Sequence, residues 1–152
     1  MESHLDHHVA VRVSDIDAAI RFYEHALDSK LVAGPAERGG PYIEEVFGPG
    51  AVAKVCHLRG ESGAIELWQF LSPLHPVPRD PQVTLGVMHF AVWVDDLDEA
   101  VARIVAGGGK QRFPLKPVGR SKAIRFCYCE DPDGNVFEVM DASHEDILDA
   151  VR

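Results

Sequence analysis

The chain has 152 residues, of which 46% are hydrophobic and 26% charged, a composition typical of a globular domain that can bury its own core. Its formal net charge of -9 at pH 7 argues against nucleic acid and anionic membranes as partners, because both bind clustered lysines and arginines. The three cysteines lack a disulfide-type spacing, the amino terminus is polar, and no apolar run approaches a membrane span, so we expect a cytoplasmic protein.

The first half of the chain predicts a strand, a helix and further strands. In the strand predicted at residues 8–13 (HVAVRV), alternation places His8, Ala10 and Arg12 on one face. Ser14 and Asp15 can cap a helix over residues 15–28, where apolar residues recur at helical spacing. Breaks that contain glycine or proline then separate four predicted strands, at residues 30–33, 42–47, 52–58 and 64–70.

The second half repeats the first after a proline-rich stretch that predicts a surface connector at residues 72–84. With a shift of 81 positions, HVAVRVSDIDAAI (8–20) aligns with HFAVWVDDLDEAV (89–101), and seven of thirteen residues are identical. Glycines at 107–109 end the second helix. We therefore predict one domain of two modules, at about residues 5–71 and 85–141.

The end of the second module is predicted from strand and turn signals. Strand-like runs lie near residues 110–113, 122–129 and 135–141, and the turn sequence EDPDGN joins the last two. The segment 143–151 predicts a short carboxyl-terminal helix. Cys127 and Cys129 could bind a metal, but the chain offers no second pair, which favours buried thiols.

Four ionisable side chains stand inside apolar, strand-like runs. His8 and His89 open the repeated segments, whereas Glu66 (AIELWQF) and Glu138 (NVFEVMD) lie in the last strand of each half. Burying a carboxylate is costly unless a cation or hydrogen-bond donors meet it. Two imidazoles and two carboxylates converging on one point would form a divalent-metal site. The alternatives are structural histidines, and carboxylates paired with an arginine such as Arg12 or Arg125.

The segments HVAVRVSDIDAAIRFYEHALD, AIELWQF, HFAVWVDDLDEAV and DPDGNVFEV resemble the vicinal-oxygen-chelate superfamily, which includes glyoxalase I, methylmalonyl-CoA epimerase, extradiol dioxygenases and the bleomycin- and fosfomycin-resistance proteins. The resemblance covers nearly the whole chain. It implies an α+β fold in which two tandem βαβββ modules form a curled mixed-sheet cleft around a metal site. It also implies that His8, Glu66, His89 and Glu138 bind one divalent ion, for which Ni, Co, Mn, Zn and Fe are all suitable.

The resemblance implies a metal-dependent isomerase or lyase of the glyoxalase I or methylmalonyl-CoA epimerase type. Such enzymes transfer a proton next to a carbonyl through a metal-bound enediolate. Carried over to this sequence, Glu138 would be the proton shuttle, assisted by Glu66. Two alternatives stay open: an Fe(II) extradiol-type dioxygenase, which uses a 2-His-1-carboxylate set, and a non-enzymatic drug-binding protein of the bleomycin-resistance type. The complete four-residue set favours the isomerase or lyase.

Further residues are candidates for substrate contacts. Arg12 shares the predicted face of His8, and the resemblance to glyoxalase I implies an anion contact there, with a structural arginine as the alternative. The aromatic candidates for a substrate pocket, for which core packing is the alternative, are Trp68, Phe70, Trp93, Phe126 and Tyr128. We expect a small-molecule substrate with adjacent oxygens, a homodimer, and no nucleic-acid or membrane partner. The sequence leaves open whether one chain builds the cleft or two chains exchange modules.

Overall fold

The structure, a computed structural model, describes residues 8–61, 63–72, 87–118 and 124–151, without the side chains of 149–151. The chain divides into two compact units, the first up to residue 79 and the second from residue 80, except that residues 25–27 group with the second. Apart from Ser72, the predicted connector at residues 72–84 lies outside the described residues. The module boundaries of the sequence analysis therefore stay predictions.

The first unit contains a mixed four-stranded sheet. Its elements in chain order are β1 (Val9–Arg12), α1 (Ile16–Leu27), β2 (Lys30–Arg38), α2 (Pro41–Phe47), β3 (Val52–Gly60) and β4 (Gly63–Ser72). The strand order is β1-β4-β3-β2. Strand β1 pairs with β4 in parallel, whereas the β4–β3 and β3–β2 pairs are antiparallel. This arrangement puts the strand that carries Glu66 in the interior of the sheet, between β1 and β3.

Helix α1 follows the repeated strand because its sequence supplies both a cap and an apolar face. Asp15 is the N-cap, and its carboxylate accepts hydrogen bonds from the backbone N–H groups of Asp17 and Ala18. The helix buries Ile16 and Tyr23 completely. These contacts confirm the helix predicted for residues 15–28 and its capping residue.

The register of the β3–β4 hairpin determines which side chains flank Glu66. Gly60 pairs with Gly63 across a tight turn, and Gly63 has a φ of +139°, a conformation that favours glycine. Counting back from this turn, His57 lies directly opposite Glu66. On the other side, Ala10 of β1 lies opposite Glu66. The carboxylate is therefore placed beside a small residue on one strand and an imidazole on the other.

The second unit repeats the arrangement. Its elements are β5 (Phe90–Trp93), α3 (Leu97–Ala106), β6 (Lys110–Gln111), β7 (Lys116–Pro117), β8 (Arg125–Glu130), β9 (Val136–Met140) and α4 (His144–Val151). The strand order is β5-β9-β8-β6, and β7 pairs with β8. Ala91 of β5 and Tyr128 of β8 lie opposite Glu138, in the same relation that Ala10 and His57 have to Glu66.

Helix α3 forms a packed layer on the second sheet. Its buried side chains are Leu97, Ala100, Val101 and Ile104, and the helix contacts β6, β8 and β9. Asp96 caps it by accepting a hydrogen bond from the backbone N–H of Glu99. The apolar spacing seen in the sequence is therefore the face that builds the core of this unit.

One predicted strand is wrong and others differ in length. Residues 42–47 form part of α2, which starts after Gly40 with Pro41 in its first turn. Proline favours this position because its fixed φ suits a helix and the missing N–H has no helical partner there. Strand β2 continues to Arg38 through the predicted break, and β6 ends at Gln111. The predicted strand at 122–129 is observed as β8, and its first two residues lie outside the described ranges.

The α+β class predicted from the sequence is confirmed, with a mixed sheet in each unit. Within residues 8–61, 63–72, 87–118 and 124–151, no helix has the length and hydropathy that crossing a bilayer requires.

Candidate functional site

The first unit brings His8 and Glu66 together. Nε2 of His8 lies 3.5 Å from Oε2 of Glu66, and the side chains are 32% and 15% exposed. Their proximity follows from the parallel β1–β4 pairing, which places Glu66 opposite Ala10, two residues after His8. The small side chain of Ala10 leaves room for the imidazole beside the carboxylate.

His57 also lies beside this pair. Its Nε2 is 3.5 Å from Oε1 of Glu66, so the two carboxylate oxygens face different imidazoles. The rings of His8 and His57 meet edge to face, with centroids 6.3 Å apart. The side chain of His57 is 42% exposed. The first unit thus places one imidazole beside each oxygen of the same carboxylate.

The second unit brings His89 and Glu138 together in a more buried position. Nε2 of His89 lies 3.3 Å from Oε2 of Glu138, and the side chains are 17% and 15% exposed. Nδ1 of His89 is buried and has no hydrogen-bond partner in the described part of the chain. The ring of Tyr128 packs against the imidazole, with centroids 4.7 Å apart.

Burial changes the acid–base properties of this second pair. It raises the pKa of Glu138, an effect that the neighbouring His89 partly offsets. Burial also raises the pKa of Tyr128, and the charge of Glu138 adds to that rise. The carboxylate is therefore a stronger base than an exposed glutamate, and the phenol beside it stays protonated at neutral pH.

The structure brings the predicted ligands together as two pairs, one in each unit. Among the described residues, no group of three or more His, Cys, Asp or Glu side chains is arranged to hold an ion. Arg125, one of the two arginines considered as a partner for either glutamate, instead pairs with Asp98 and Asp141 at 2.9 Å each. The ion-pair partners of both predicted glutamate ligands are histidines.

The two pairs fit a divalent metal by donor chemistry and by spacing. Imidazole nitrogen and carboxylate oxygen are the donors that Zn, Fe, Co, Ni and Mn accept. Bonds of about 2.0–2.2 Å to one ion place neighbouring donor atoms about 3.0–3.5 Å apart. The nitrogen-to-oxygen separations are 3.5 Å in the first pair and 3.3 Å in the second.

The aromatic candidates of the first unit form a cluster with a residue that the sequence analysis missed. Trp68 and Phe70 stack with centroids 5.8 Å apart, and Phe47 packs on them at 5.0 and 5.1 Å. Alternation along β4 puts Trp68 and Phe70 on the face of Glu66. Phe47 was missed because residues 42–47 were predicted as a strand rather than a helix.

The aromatic candidates of the second unit differ in their ring contacts and in their exposure. Phe126 and Tyr128 form a triangle with Phe113, with centroids 5.5 to 6.0 Å apart. Tyr128 is the member that reaches His89. Trp93 is 49% exposed and makes no ring contact within the described residues.

Two other sequence predictions can be located in the structure. Arg12 is exposed and lies opposite Trp68 in the β1–β4 register, one row along the sheet from Glu66. Its anion contact stays a prediction. Cys127 and Cys129 are free thiols and fully buried, as the sequence pattern favoured.

His57 is a further residue that the predicted set of site residues does not include. The signal that identifies it is the tight turn between the glycines at 60 and 63, from which the hairpin register follows by counting. That register pairs residue 57 with residue 66, so turn chemistry alone could have assigned His57 to the neighbourhood of Glu66.

Comparison with known proteins gives one family match, one curated relative and a number of solved structures. The family model described as "Glyoxalase/Bleomycin resistance protein/Dioxygenase superfamily" matches residues 6–139. A protein named "Probable lactoylglutathione lyase, chloroplastic" from Arabidopsis thaliana is 29% identical over 136 residues, which are 88% of this chain and 35% of that protein. The chain thus spans about a third of the length of this curated relative.

Solved structures match over nearly the whole chain. A glyoxalase family protein from Bacillus cereus is similar with a TM-score of 0.76 and 25% identity, covering 92% of this chain and 95% of the other. The fosfomycin resistance protein FosX from Listeria monocytogenes, in complex with Mn(II) and sulfate, has a TM-score of 0.60 and 21% identity, covering 97% and 99%. At this identity the second likeness concerns the fold alone.

Proposed function

The chain belongs to the Glyoxalase/Bleomycin resistance protein/Dioxygenase superfamily, and we propose that it is a metal-dependent lyase or isomerase that transfers a proton next to a carbonyl group. The observation that carries this proposal is the repeated His–Glu pair, at 3.5 Å in the first unit and 3.3 Å in the second. Each pair occupies the same positions on its own sheet, which is the pattern expected of a ligand set inherited through duplication.

The proposed ligands of one divalent ion are His8, Glu66, His89 and Glu138. The donor types and the nitrogen-to-oxygen separations within each pair support this assignment. When bound, the ion would supply Lewis-acid stabilisation of negative charge on two neighbouring oxygens of the substrate. The Mn(II) complex of the fosfomycin resistance protein is consistent with a divalent ion in a chain of this fold.

Glu138 is the proposed proton shuttle of the reaction. Its carboxylate is mostly buried and stands beside His89, whose imidazole orients one of its oxygens. A carboxylate held in this way can take the proton from the carbon next to a carbonyl and return it to the neighbouring carbon. Glu66 would assist from the first unit, where two imidazoles restrain it.

The proposed substrate is a small molecule with adjacent oxygens and an apolar portion. Trp68 and Phe70 extend along the strand face of Glu66 and offer an aromatic surface beyond the carboxylate. Phe126, Tyr128 and Trp93 are the corresponding candidates of the second unit. Arg12, one row from Glu66, is suited to an anionic group of the substrate. The homodimer and the cytoplasmic location stay predictions.

The relative named "Probable lactoylglutathione lyase" supports a lyase of the glyoxalase I type. The chain spans 35% of that protein, so the activity of the whole relative is only a proposal for this chain.

The experiment is a metal-dependent exchange assay on the purified chain. Protein stripped with a chelator and then loaded with Ni(II), Co(II), Mn(II) or Zn(II) is incubated in deuterated water with methylglyoxal plus glutathione and with a panel of 2-hydroxy and 2-oxo acids. We expect deuterium next to the carbonyl of at least one substrate, only after metal loading. Ring cleavage of catechols by the Fe(II)-loaded protein in air, without such exchange, would indicate a dioxygenase instead. Drug binding by a metal-free protein would indicate a sequestering function.

A further inference from the structure

We propose that His57 is a positioning residue for Glu66, which holds one carboxylate oxygen while the other serves the ion shared with His8. This inference rests on the proposed role of Glu66 as a metal ligand. According to this inference, His57 affects metal affinity and coordination geometry, although it is not one of the four proposed ligands.

The geometry separates the two oxygens of Glu66. Oε2 lies 3.5 Å from Nε2 of His8, whereas Oε1 lies 3.5 Å from Nε2 of His57. The two rings stand edge to face at 6.3 Å, so they approach the carboxylate from different directions. An oxygen that faces His57 is directed away from the ring of His8, which leaves one oxygen on the side of the proposed ligand.

A hydrogen bond donated by His57, whose Nε2 lies 3.5 Å from Oε1, would give this arrangement an effect on a bound ion. The Nε2–H group of a neutral imidazole donates one hydrogen bond, and a ligating carboxylate is oriented when its second oxygen accepts one. Such restraint favours coordination through a single oxygen and reduces the rotational freedom that the side chain would lose on binding. Because His57 is 42% exposed, it can turn toward Oε1 without burying an unpaired ring nitrogen.

Among the described residues of the second unit, no second imidazole lies beside Glu138. The residue opposite Glu138 is Tyr128, whose ring packs against His89 at 4.7 Å. The duplicated halves therefore differ at one register position, where the first has an imidazole beside its carboxylate and the second a phenol beside its histidine. Within the described ranges, Glu66 therefore has two imidazoles to restrain its carboxylate, whereas Glu138 has one.

The test compares variants of the full chain by Co(II) binding, measured by competition with a chelator and by the visible absorption of the bound Co(II). His57→Leu removes the donor, whereas His57→Gln keeps an N–H donor at a similar distance from the backbone. Lys54→Gln is the control, because it lies on the same strand with its side chain on the other face. Thermal unfolding of each metal-free variant reports whether the fold is retained.

We expect His57→Leu to weaken Co(II) binding by about 10- to 100-fold and to change the absorption spectrum, with binding restored in His57→Gln and unaffected in Lys54→Gln. Wild-type affinity and spectrum in His57→Leu, or equal weakening in the leucine and glutamine variants, would overturn the role of His57 alone. A wild-type chain that binds no Co(II) would overturn both this inference and the proposed function, so the two failures are distinguishable.

Discussion

Nε2 of His89 lies 3.3 Å from Oε2 of Glu138, and neither side chain is more than 17% exposed. The equivalent pair of the first unit, His8 and Glu66, has nearly the same separation, but its histidine is 32% exposed. A buried carboxylate needs a partner that compensates for lost hydration. The imidazole provides that partner in both units, which explains how a glutamate is tolerated in the interior of each sheet.

Replacing Glu138 with glutamine should abolish turnover without unfolding the protein. The amide keeps the size and polarity of the side chain but cannot accept the proton, so we expect kcat to fall by about 10²- to 10⁴-fold. The measurement is deuterium exchange on the substrate found in the exchange assay, with thermal unfolding as the check on the fold. Turnover close to wild type would remove Glu138 from its role as proton shuttle.

Truncating the core of α3 should destabilise the protein in proportion to burial. Ile104 is fully buried and Val105 next to it is 51% exposed. Ile104→Ala should lower the free energy of unfolding by about 2–5 kcal/mol because it leaves a cavity. Val105→Ala, the matched control, should change it by less than about 0.5 kcal/mol. Urea unfolding measures both, and similar losses in the two variants would contradict the assignment of the buried face.

The buried thiols should make the protein less stable at alkaline pH. Burial raises the pKa of Cys129 from its ordinary value of 9.0 to about 12, and that of Cys56 to about 11. Above pH 9 the unfolded chain loses these protons while the folded chain keeps them, so stability falls as the pH rises from 9 toward 12.

The decline should not exceed about 1.4 kcal/mol per pH unit for each thiol. The double variant Cys56→Ala/Cys129→Ala should show a shallower decline in urea unfolding between pH 8 and 10.5 than the wild-type chain. Identical slopes for the two proteins would show that these thiols do not couple folding to pH.

Sequence patterns predicted the repeated parts of the fold well, because each repeat carries several signals that agree. The strand that begins after His8, the cap at Asp15 and the apolar spacing of α1 recur after His89, and the structure has both copies. Helix α2 could not be predicted in this way. It has seven residues and buries only Ile43, so no apolar face distinguishes it from a short strand.

The two His–Glu pairs of the candidate site could be identified from the sequence, whereas their surroundings could not, and their role as metal ligands stays a prediction. His8, His89 and the two glutamates stand out as polar residues in apolar strands, whereas the contact between His57 and Glu66 depends on the β3–β4 register. A shift of one residue in that register would turn His57 to the other face. The aromatic contacts of Phe47 and Phe113 depend on α2 and on the loop after β6, where the sequence has no strong periodicity.

The measurement that tests the metal proposal most directly is the metal-to-chain ratio, by elemental analysis of protein loaded with Co(II) and then dialysed. We predict about one tightly held ion per chain, and loss of that ion in both His8→Ala and His89→Ala. His25→Ala, an exposed histidine of α1, is the matched control and should keep it. No bound ion in the wild-type chain, or an ion that is retained in both ligand variants, would contradict the account.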